Sequence, residues 1–324
     1  MTRQSRLELA VLALAVAGLA AFPFFAESYY LRLVTRIMVT GLFAMSLDLL
    51  VGYAGLVSLG HAAFYGAAAY TVGLIVNKFG VTDVAVLLPA SLAVAALAAL
   101  VIGALSIRTS GVYFIMITLA LAQMIYYFVK DRRDWGGTDG MNVDSKPTME
   151  WFGVRLFDFY DRTAFYYLVL ACLVGAFALL STILAAPFGR VLVGIKANEA
   201  RTRALGYDVQ RVKLAAFVIA GTLAGLAGFL EAARATFVNP QHLAWHESGH
   251  LLVIVILGGM GTLWGPVLGA FAVILLEDWL STLTDRVLLV MGVFVLAVVL
   301  FLPQGIAGLF RRPARAAPQG DDDG

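Results

Sequence analysis

The stretch Ser248–Thr282, SGHLLVIVILGGMGTLWGPVLGAFAVILLEDWLST, decides the fold. It is too apolar for a surface loop and too broken by glycine for one plain helix. The loop before it reads as external. One further apolar run, Val287–Leu302, separates it from a basic tail that reads as internal. The stretch must therefore begin and end on the outer side. Either it dips in and returns, or it makes two unusually short crossings. Broken backbone at membrane depth is tolerated only where protein or a cavity covers it. Short segments interrupted by Gly or Pro are the best sequence pointer to a substrate path where one exists.

Composition agrees with a membrane setting. The 324 residues are 61% hydrophobic and 14% charged, with a mean hydropathy of +0.87. Soluble domains are nearer half apolar and a quarter charged. The apolar runs last about twenty residues, twice the alternating segment of an outer-membrane barrel strand. The fold class expected is all-α, a polytopic transmembrane bundle of about 8–10 segments including the broken or re-entrant one. Plain spans read at Leu7–Ala26, Leu31–Val51, Leu56–Val76, Val84–Ser106, Val112–Val129, Ala164–Ala186, Leu214–Phe237 and Val287–Leu302. Phe22-Pro23-Phe24-Phe25 stands where a secretory signal would place a small-residue cleavage site, so the first run reads as a retained helix. With Cys172 the single cysteine, no disulfide forms within the chain.

Basic residues in short loops set the orientation. The loop 187–212 carries Arg190, Lys196, Arg201, Arg203 and Arg211 against Glu199 and Asp208. The loop 131–162 with its flanking Lys130 holds six basic and seven acidic residues. The first is thus cytoplasmic and the second external. Arg3, Arg6, Arg108, Arg311, Arg312 and Arg315 fall inside on the same scheme. Residues 1–310 then form a single transmembrane domain, and 311–324, RRPARAAPQGDDDG, a disordered cytoplasmic tail.

Two glycine-rich stations stand out, one in each half of the chain. The first is Gly52–Gly73, GYAGLVSLGHAAFYGAAAYTVG. The second is the broken stretch, with Gly261-x-x-x-Gly265-x-x-x-Gly269 as a close-packing stripe and Pro266 as a helix start. Plain helix packing explains any one of these glycines. The pair of stations reads as forming a path, with Gly55, Ser58, Gly60, His61, Gly258, Gly259, Gly261 and Gly265 as its candidate residues. His61 and Ser58, polar among small residues, either line a cavity or hydrogen-bond to a neighbouring helix carbonyl. Asp48, Glu231, Arg234, Glu277 and Asp278 read as interfacial, near helix ends. His242, His246 and His250 are spaced by four, but Pro240 and the loop setting argue against one metal-binding helical face, and no metal site is expected.

Within 187–212 helix formers run from Arg190 to Leu205, and Gly206 closes them. A short amphipathic helix there either rests on anionic lipid or inserts into a partner protein. The chain has no phosphate-binding G-x-x-x-x-G-K-[ST] loop, so ATP hydrolysis is not expected on it.

The string GRVLVGIKANEARTRALGYDVQRVKLAAFVIAGTLAGLAGFL from Gly189 closely resembles the coupling loop and following helix of the permeases of branched-chain amino-acid ABC importers, of the LivM type. GYAGLVSLGHAAFYGAAAY, RTSGVYFIMITLALAQMIYY, WGGTDGMN and LGGMGTLWGPVLGA match that family in the same order along nearly the whole chain. The resemblance implies a bacterial inner-membrane subunit with both termini cytoplasmic. It implies a heterodimer with a second permease, two ATP-binding subunits that carry ATP and Mg, and an extracytoplasmic substrate-binding protein. No cofactor is expected on this chain, and no nucleic acid. The loop 187–212 would couple to an ATPase through Arg190, Lys196, Asn198, Glu199, Ala200 and Gly206. Importer permeases carry E-A-A-x-x-x-G there; in this chain Glu199-Ala200-Arg201 replaces E-A-A and Gly206 falls one residue late. Substrate would be a branched-chain or other hydrophobic amino acid, moved by alternating access. A urea or short-amide importer looks similar. An ion-coupled secondary transporter would need more carboxylates at depth than the helices hold.

Overall fold

The computed structural model describes residues 13–151, 154–302 and 305–308. The anchors Arg3, Arg6, Arg311, Arg312 and Arg315 and the tail 311–324 lie outside the described residues. In chain order the helices are α1 (Ala13–Phe24), α2 (Ser28–Asp48), α3 (Ala62–Phe79), α4 (Val84–Ser106), α5 (Val112–Lys130), α6 (Arg162–Ala185), α7 (Pro187–Ala197), α8 (Glu199–Ala204), α9 (Val209–Ala235), α10 (Trp245–Gly258), α11 (Gly265–Leu283), α12 (Val287–Phe301) and α13 (Gly305–Gly308). The molecule is an all-α polytopic membrane protein. Six of these helices, α2, α4, α5, α6, α9 and α11, are long and apolar enough to cross a membrane. The shorter α1, α3, α10 and α12 complete the bundle among the described residues.

Helices α2 and α9 form the core, and their small residues explain why. On α9, Gly221 and Gly225 face Ala99 and Ala95 of α4, and Gly228 lies against the backbone carbonyl of Tyr65 on α3. A Cβ at any of the three would overlap its neighbour, so only glycine lets α9 approach both helices at once. On α2, Gly41 takes Val267 of α11 in van der Waals contact, 3.4 Å from where its Cβ would stand. The outer helices are apolar on their free faces instead. Leu97, Val101 and Leu105 of α4, Met116 and Met124 of α5, and Leu289, Val293, Leu296 and Leu300 of α12 are exposed, as lipid-facing side chains must be.

Two helices break where glycine permits. After Asp48 the backbone widens into a π-helical turn, Leu49–Ala54, which ends at Gly55 with φ +70°. Residues 55–61 are not helical, and α3 starts only at Ala62, so the expected span from Leu56 begins six residues late. The free amide of Ala62 is taken by Ser248 Oγ on α10, 2.8 Å away, which satisfies one orphan donor of the helix start. The second break is the turn 259–264 between α10 and α11. Gly259 and Gly261 hold φ +113° and +76° there, and Thr262 Oγ1 donates to Gly259 O at 2.7 Å. Gly258 and Gly269 pack face to face across the hairpin. The expected stripe Gly261–Gly265–Gly269 therefore does not run along one helix. Gly261 sits in the turn, Gly265 opens α11 just ahead of Pro266, and Gly269 packs back on α10.

The descent to that turn is gradual. Val238 lies beside Gly73 on α3, Leu243 beside Gly66, and Ser248 beside Ala62. The turn itself reaches the end of the bundle that carries α7 and α8, where Gly261 meets Gly52. Of the two alternatives left open by the sequence, the stretch thus runs to the far end and returns, with a short helix on the way in.

The polar loops hold more structure than a bare loop reading expects. In 131–162, β1 (Met141–Asn142) pairs antiparallel with β4 (Phe237–Val238), and β2 (Met149–Trp151) with β3 (Val154–Phe157). The β1–β4 pairing ties the loop to the end of α9, while β2 and β3 pair within the loop. The helix expected over Arg190–Leu205 is two helices. Asn198, at φ −160° and ψ 103°, ends α7 and caps α8, its Oδ1 accepting from Arg201 N at 2.9 Å. Asparagine gains more from that cap than from continuing a helix. Gly206, at φ +89°, closes α8 as the sequence implied.

Candidate functional site

The two glycine stations meet at the α7–α8 end of the bundle, and Gly52 is the point of contact. Its carbonyl accepts a hydrogen bond from Lys196 Nζ at 2.5 Å. A Cβ on Gly52 would overlap both Asp48 Oδ1 and Gly261 N. Gly261 N donates to Asp48 Oδ1 at 2.8 Å. One lysine from α7, one carboxylate from α2 and one amide from the α10–α11 turn thus converge on a single glycine. Asp48 is fully buried, so the interfacial expectation fails for it. The π-helical turn and the hairpin turn enclose it, and the Gly261 amide gives its buried Oδ1 a hydrogen-bond partner. Gly55 makes room for the lysine, since Lys196 Cγ lies 3.1 Å from where a Gly55 Cβ would stand.

The remaining candidates of the first station lie higher. Ser58 is buried, and its Oγ accepts from Gly60 N at 3.3 Å, shaping the turn before α3. Gly60 rests against the carbonyl of Thr118 on α5. His61 is fully buried, with Nε2 2.9 Å from Ser46 Oγ and its ring stacked on Phe43 at 5.6 Å. His61 therefore bonds to a neighbouring helix rather than facing an open cavity. Gly258, Gly259 and Gly265 form the hairpin closure described above. Together these residues make a packed, glycine-permitted joint.

The elbow of α7 and α8 divides the six residues assigned to coupling. Arg190, Asn198, Ala200 and Gly206 are exposed. Lys196 reaches inward to Gly52. Glu199 is also engaged within the chain, 2.6 Å from Lys213 Nζ on α9 and 2.8 Å from Arg203. The Lys213 side chain is only 6% exposed, so Glu199 bolts α8 to the core. Exposed apolar side chains accompany the elbow: Val193, Leu205 and Tyr207. A row of apolar groups beside arginines on a surface helix suits a protein groove.

Sequence reading missed Lys213, Ser46 and Ser248, each a single polar residue whose partner is remote in the chain. Glu199 and Lys213 stand on two different helices, α8 and α9, so no spacing along one helix marks the pair. Glu231 and Arg234, read as interfacial, form a two-pronged ion pair at 2.5 and 2.8 Å near the end of α9, with Glu231 almost fully buried. His242 lies in a short turn ahead of α10, apart from the helix that carries His246 and His250.

Comparison with known proteins fits this architecture. The family described as "Branched-chain amino acid transport system / permease component" matches residues 29–303. The high-affinity branched-chain amino acid transport system permease protein LivM of Escherichia coli K12 is 29% identical over 95% of this chain and 76% of its own length, and LivM of Salmonella typhimurium LT2 aligns equally. The ribose import permease protein RbsC of Escherichia coli K12 is 31% identical over 29% of this chain and 31% of its own length. No solved structure matches the chain. Since the match runs from the first turn of α2 to the end of α12, both broken segments and the elbow included, the chain belongs to the family of branched-chain amino acid transport system permease components.

Proposed function

We propose that this ABC importer permease carries branched-chain or other hydrophobic amino acids inward by alternating access, and that α7 and α8 receive the stroke of an ATP-binding subunit. The observation that carries the coupling step is the hydrogen bond from Lys196 to Gly52. It joins the elbow to a point where both broken segments touch. While that bond holds, a displacement of α7 pulls on Gly52 and on the Asp48 and Gly261 groups packed against it. The α7–α8 end is cytoplasmic on this reading, as its excess of basic residues supports, and both termini share that side. Arg190, Val193, Leu205 and Tyr207 present the docking face.

The working assembly pairs this chain with a second permease, two ATP-binding subunits and an external binding protein, within membrane lipid. ATP and Mg sit on the ATP-binding subunits, and this chain performs no chemistry of its own. The substrate class rests on LivM, whose name assigns it branched-chain amino acids.

The test is uptake into proteoliposomes holding the co-purified importer and its binding protein. Labelled leucine, isoleucine, valine and urea are compared with and without ATP. ATP-dependent leucine, isoleucine and valine uptake is expected. Urea uptake alone overturns the substrate, and uptake driven by an ion gradient without ATP overturns the mechanism.

A further inference from the structure

Depth combined with exposure singles out one face of the chain. Helix α2 is enclosed over most of its surface, yet Arg32 and Arg36, one turn apart, are exposed. Arg36 stands eight residues from Ser28 and twelve from Asp48, about 12 and 18 Å along the axis. On α10, His250 precedes Gly258 by eight residues, about 12 Å. On α11, Glu277 follows Gly265 by twelve residues, about 18 Å. Val267 of α11 packs on Gly41 of α2, so Glu277, ten residues on, stands about 15 Å towards the outer end, where its neighbour Asp278 accepts from Tyr29 in the first turn of α2. Arg36, five residues from Gly41, lies about 7.5 Å out on the same side, and the group thus occupies the outer half of a hydrocarbon core about 30 Å thick.

They also lie together. His250 Nε2 is 3.0 Å from Glu277 Oε1, with the two side chains 40% and 26% exposed. Arg36 is within electrostatic reach of both, and Glu247 of His250. Among the described residues no carboxylate closes on Arg36 as an ion pair. Lipid cannot solvate such groups, so this face looks onto water or protein. By contrast α12, VLLVMGVFVLAVVLF, carries no polar side chain at all. Towards the loop 131–162, Arg32 opens into a cavity of about 90 Å³, shared with Lys146, Arg162 and Arg234. A line of cationic groups thus leads from the outer loop to Arg36.

We propose that this face lines the translocation path and that Arg36, Glu247 and Glu277 form a subsite for a zwitterionic amino acid. The Arg36 fork takes the α-carboxylate, for which its geometry is matched. Glu247 and Glu277 take the ammonium. Thr40, one turn below Arg36 and half-buried, is small enough to leave room for the substrate side chain. The subsite rests on the amino-acid reading above; the path-lining face does not.

The experiment uses the assembled importer in proteoliposomes, on a Cys172→Ser background, with the external side accessible. Arg36→Cys, Glu277→Cys and the lipid-facing Leu296→Cys are each treated with a membrane-impermeant cationic methanethiosulfonate. Arg36→Cys and Glu277→Cys are expected to react at least roughly tenfold faster than Leu296→Cys, as hydrated thiols do beside lipid-buried ones. Rates equal to that of Leu296→Cys overturn the path. Reaction of Arg36→Cys only after the second permease is stripped away also overturns it, and marks a subunit interface. In a second arm, Arg36→Gln lowers leucine uptake roughly tenfold or more, from loss of a charge-assisted bond, while Arg36→Lys keeps part of it. Equal uptake by Arg36→Gln and the unsubstituted importer overturns the subsite. If the unsubstituted importer takes up no amino acid, the amino-acid reading falls and the subsite with it, while the thiol rates still decide the path.

Discussion

Replacing Lys196 with methionine tests the coupling joint directly. Methionine keeps the length and apolar character of the stem that packs on Gly55, and removes the ammonium that Gly52 O accepts from. A hydrogen bond to a charged group contributes about 1.5–3 kcal/mol. Lys196 is an exposed residue, so water recovers much of the loss and the low end, about 1.5 kcal/mol, is a ceiling. That shifts the balance between docked and undocked α7 by at most about tenfold. In the reconstituted importer, leucine uptake at saturating ATP and binding protein should fall by up to about tenfold. Hydrolysis on the ATP-binding subunits should continue, because the docking face of the elbow is untouched. The readout is therefore leucine moved per ATP hydrolysed. An unchanged ratio refutes the reasoning, whether both rates fall together or neither falls.

Three further outcomes follow from the packing and the charges. Gly228→Ala should lower the thermal midpoint of the detergent-solubilised chain, because its Cβ overlaps the Tyr65 carbonyl; a forced α9–α3 shift costs about 1–3 kcal/mol, and Gly175→Ala, with open space around it, is the neutral comparison. Glu199→Ala should destabilise more than Lys213→Met, since it strands an ammonium whose side chain is 6% exposed; the double variant should resemble Lys213→Met alone, and a strictly additive double variant counts against the bolt. In the outer loop, burial first and Arg162 second hold the Lys146 amine below the usual lysine range. Its folded form therefore binds its proton less tightly than the unfolded chain, and stability rises with pH between the folded and unfolded values. Lys146 should acylate at a lower pH than a free lysine, and Arg162→Gln should move that profile upward; no movement removes Arg162 as a cause.

Much of the bundle is legible in the chain because burial in lipid imposes itself residue by residue. Val84–Ser106 is a helix with the bounds its apolar run implies, Pro266 starts a helix, and Gly206 ends one. Contacts that depend on a single distant partner are not legible in this way. Asp48 reads as interfacial because it closes an apolar run, but the hairpin turn returns more than two hundred residues later to cover it. Asn198 reads as an interior helix position because its neighbours are good helix formers, and its own capping bond overrides them. The pairing of β1 with β4 joins two-residue strands nearly a hundred residues apart, too short for any alternation to show. Of the proposed site, the glycines are visible as glycines, but not that Gly52 and Gly261 touch.

The breaks in α2–α3 and α10–α11 are one feature in physical terms. Each break frees backbone groups that a continuous helix would satisfy, and three of them are met from the other break or from the elbow. Asp48 meets Gly261 N, Ser248 meets Ala62 N, and Lys196 meets Gly52 O. Leaving any of these buried groups unmet costs about 1–3 kcal/mol, so the arrangement resists partial movement. A joint of this kind favours two discrete packings over a continuous deformation. The helices that leave it are the ones that carry Arg36, His250 and Glu277: α2 runs unbroken for twelve residues from Asp48 to Arg36, α10 for eight from Gly258 to His250, and α11 for twelve from Gly265 to Glu277. Helices of that length move as rods. A switch of packing at Gly52 therefore changes the distance between Arg36 and the His250–Glu277 pair, which is what releasing a zwitterion held between them requires.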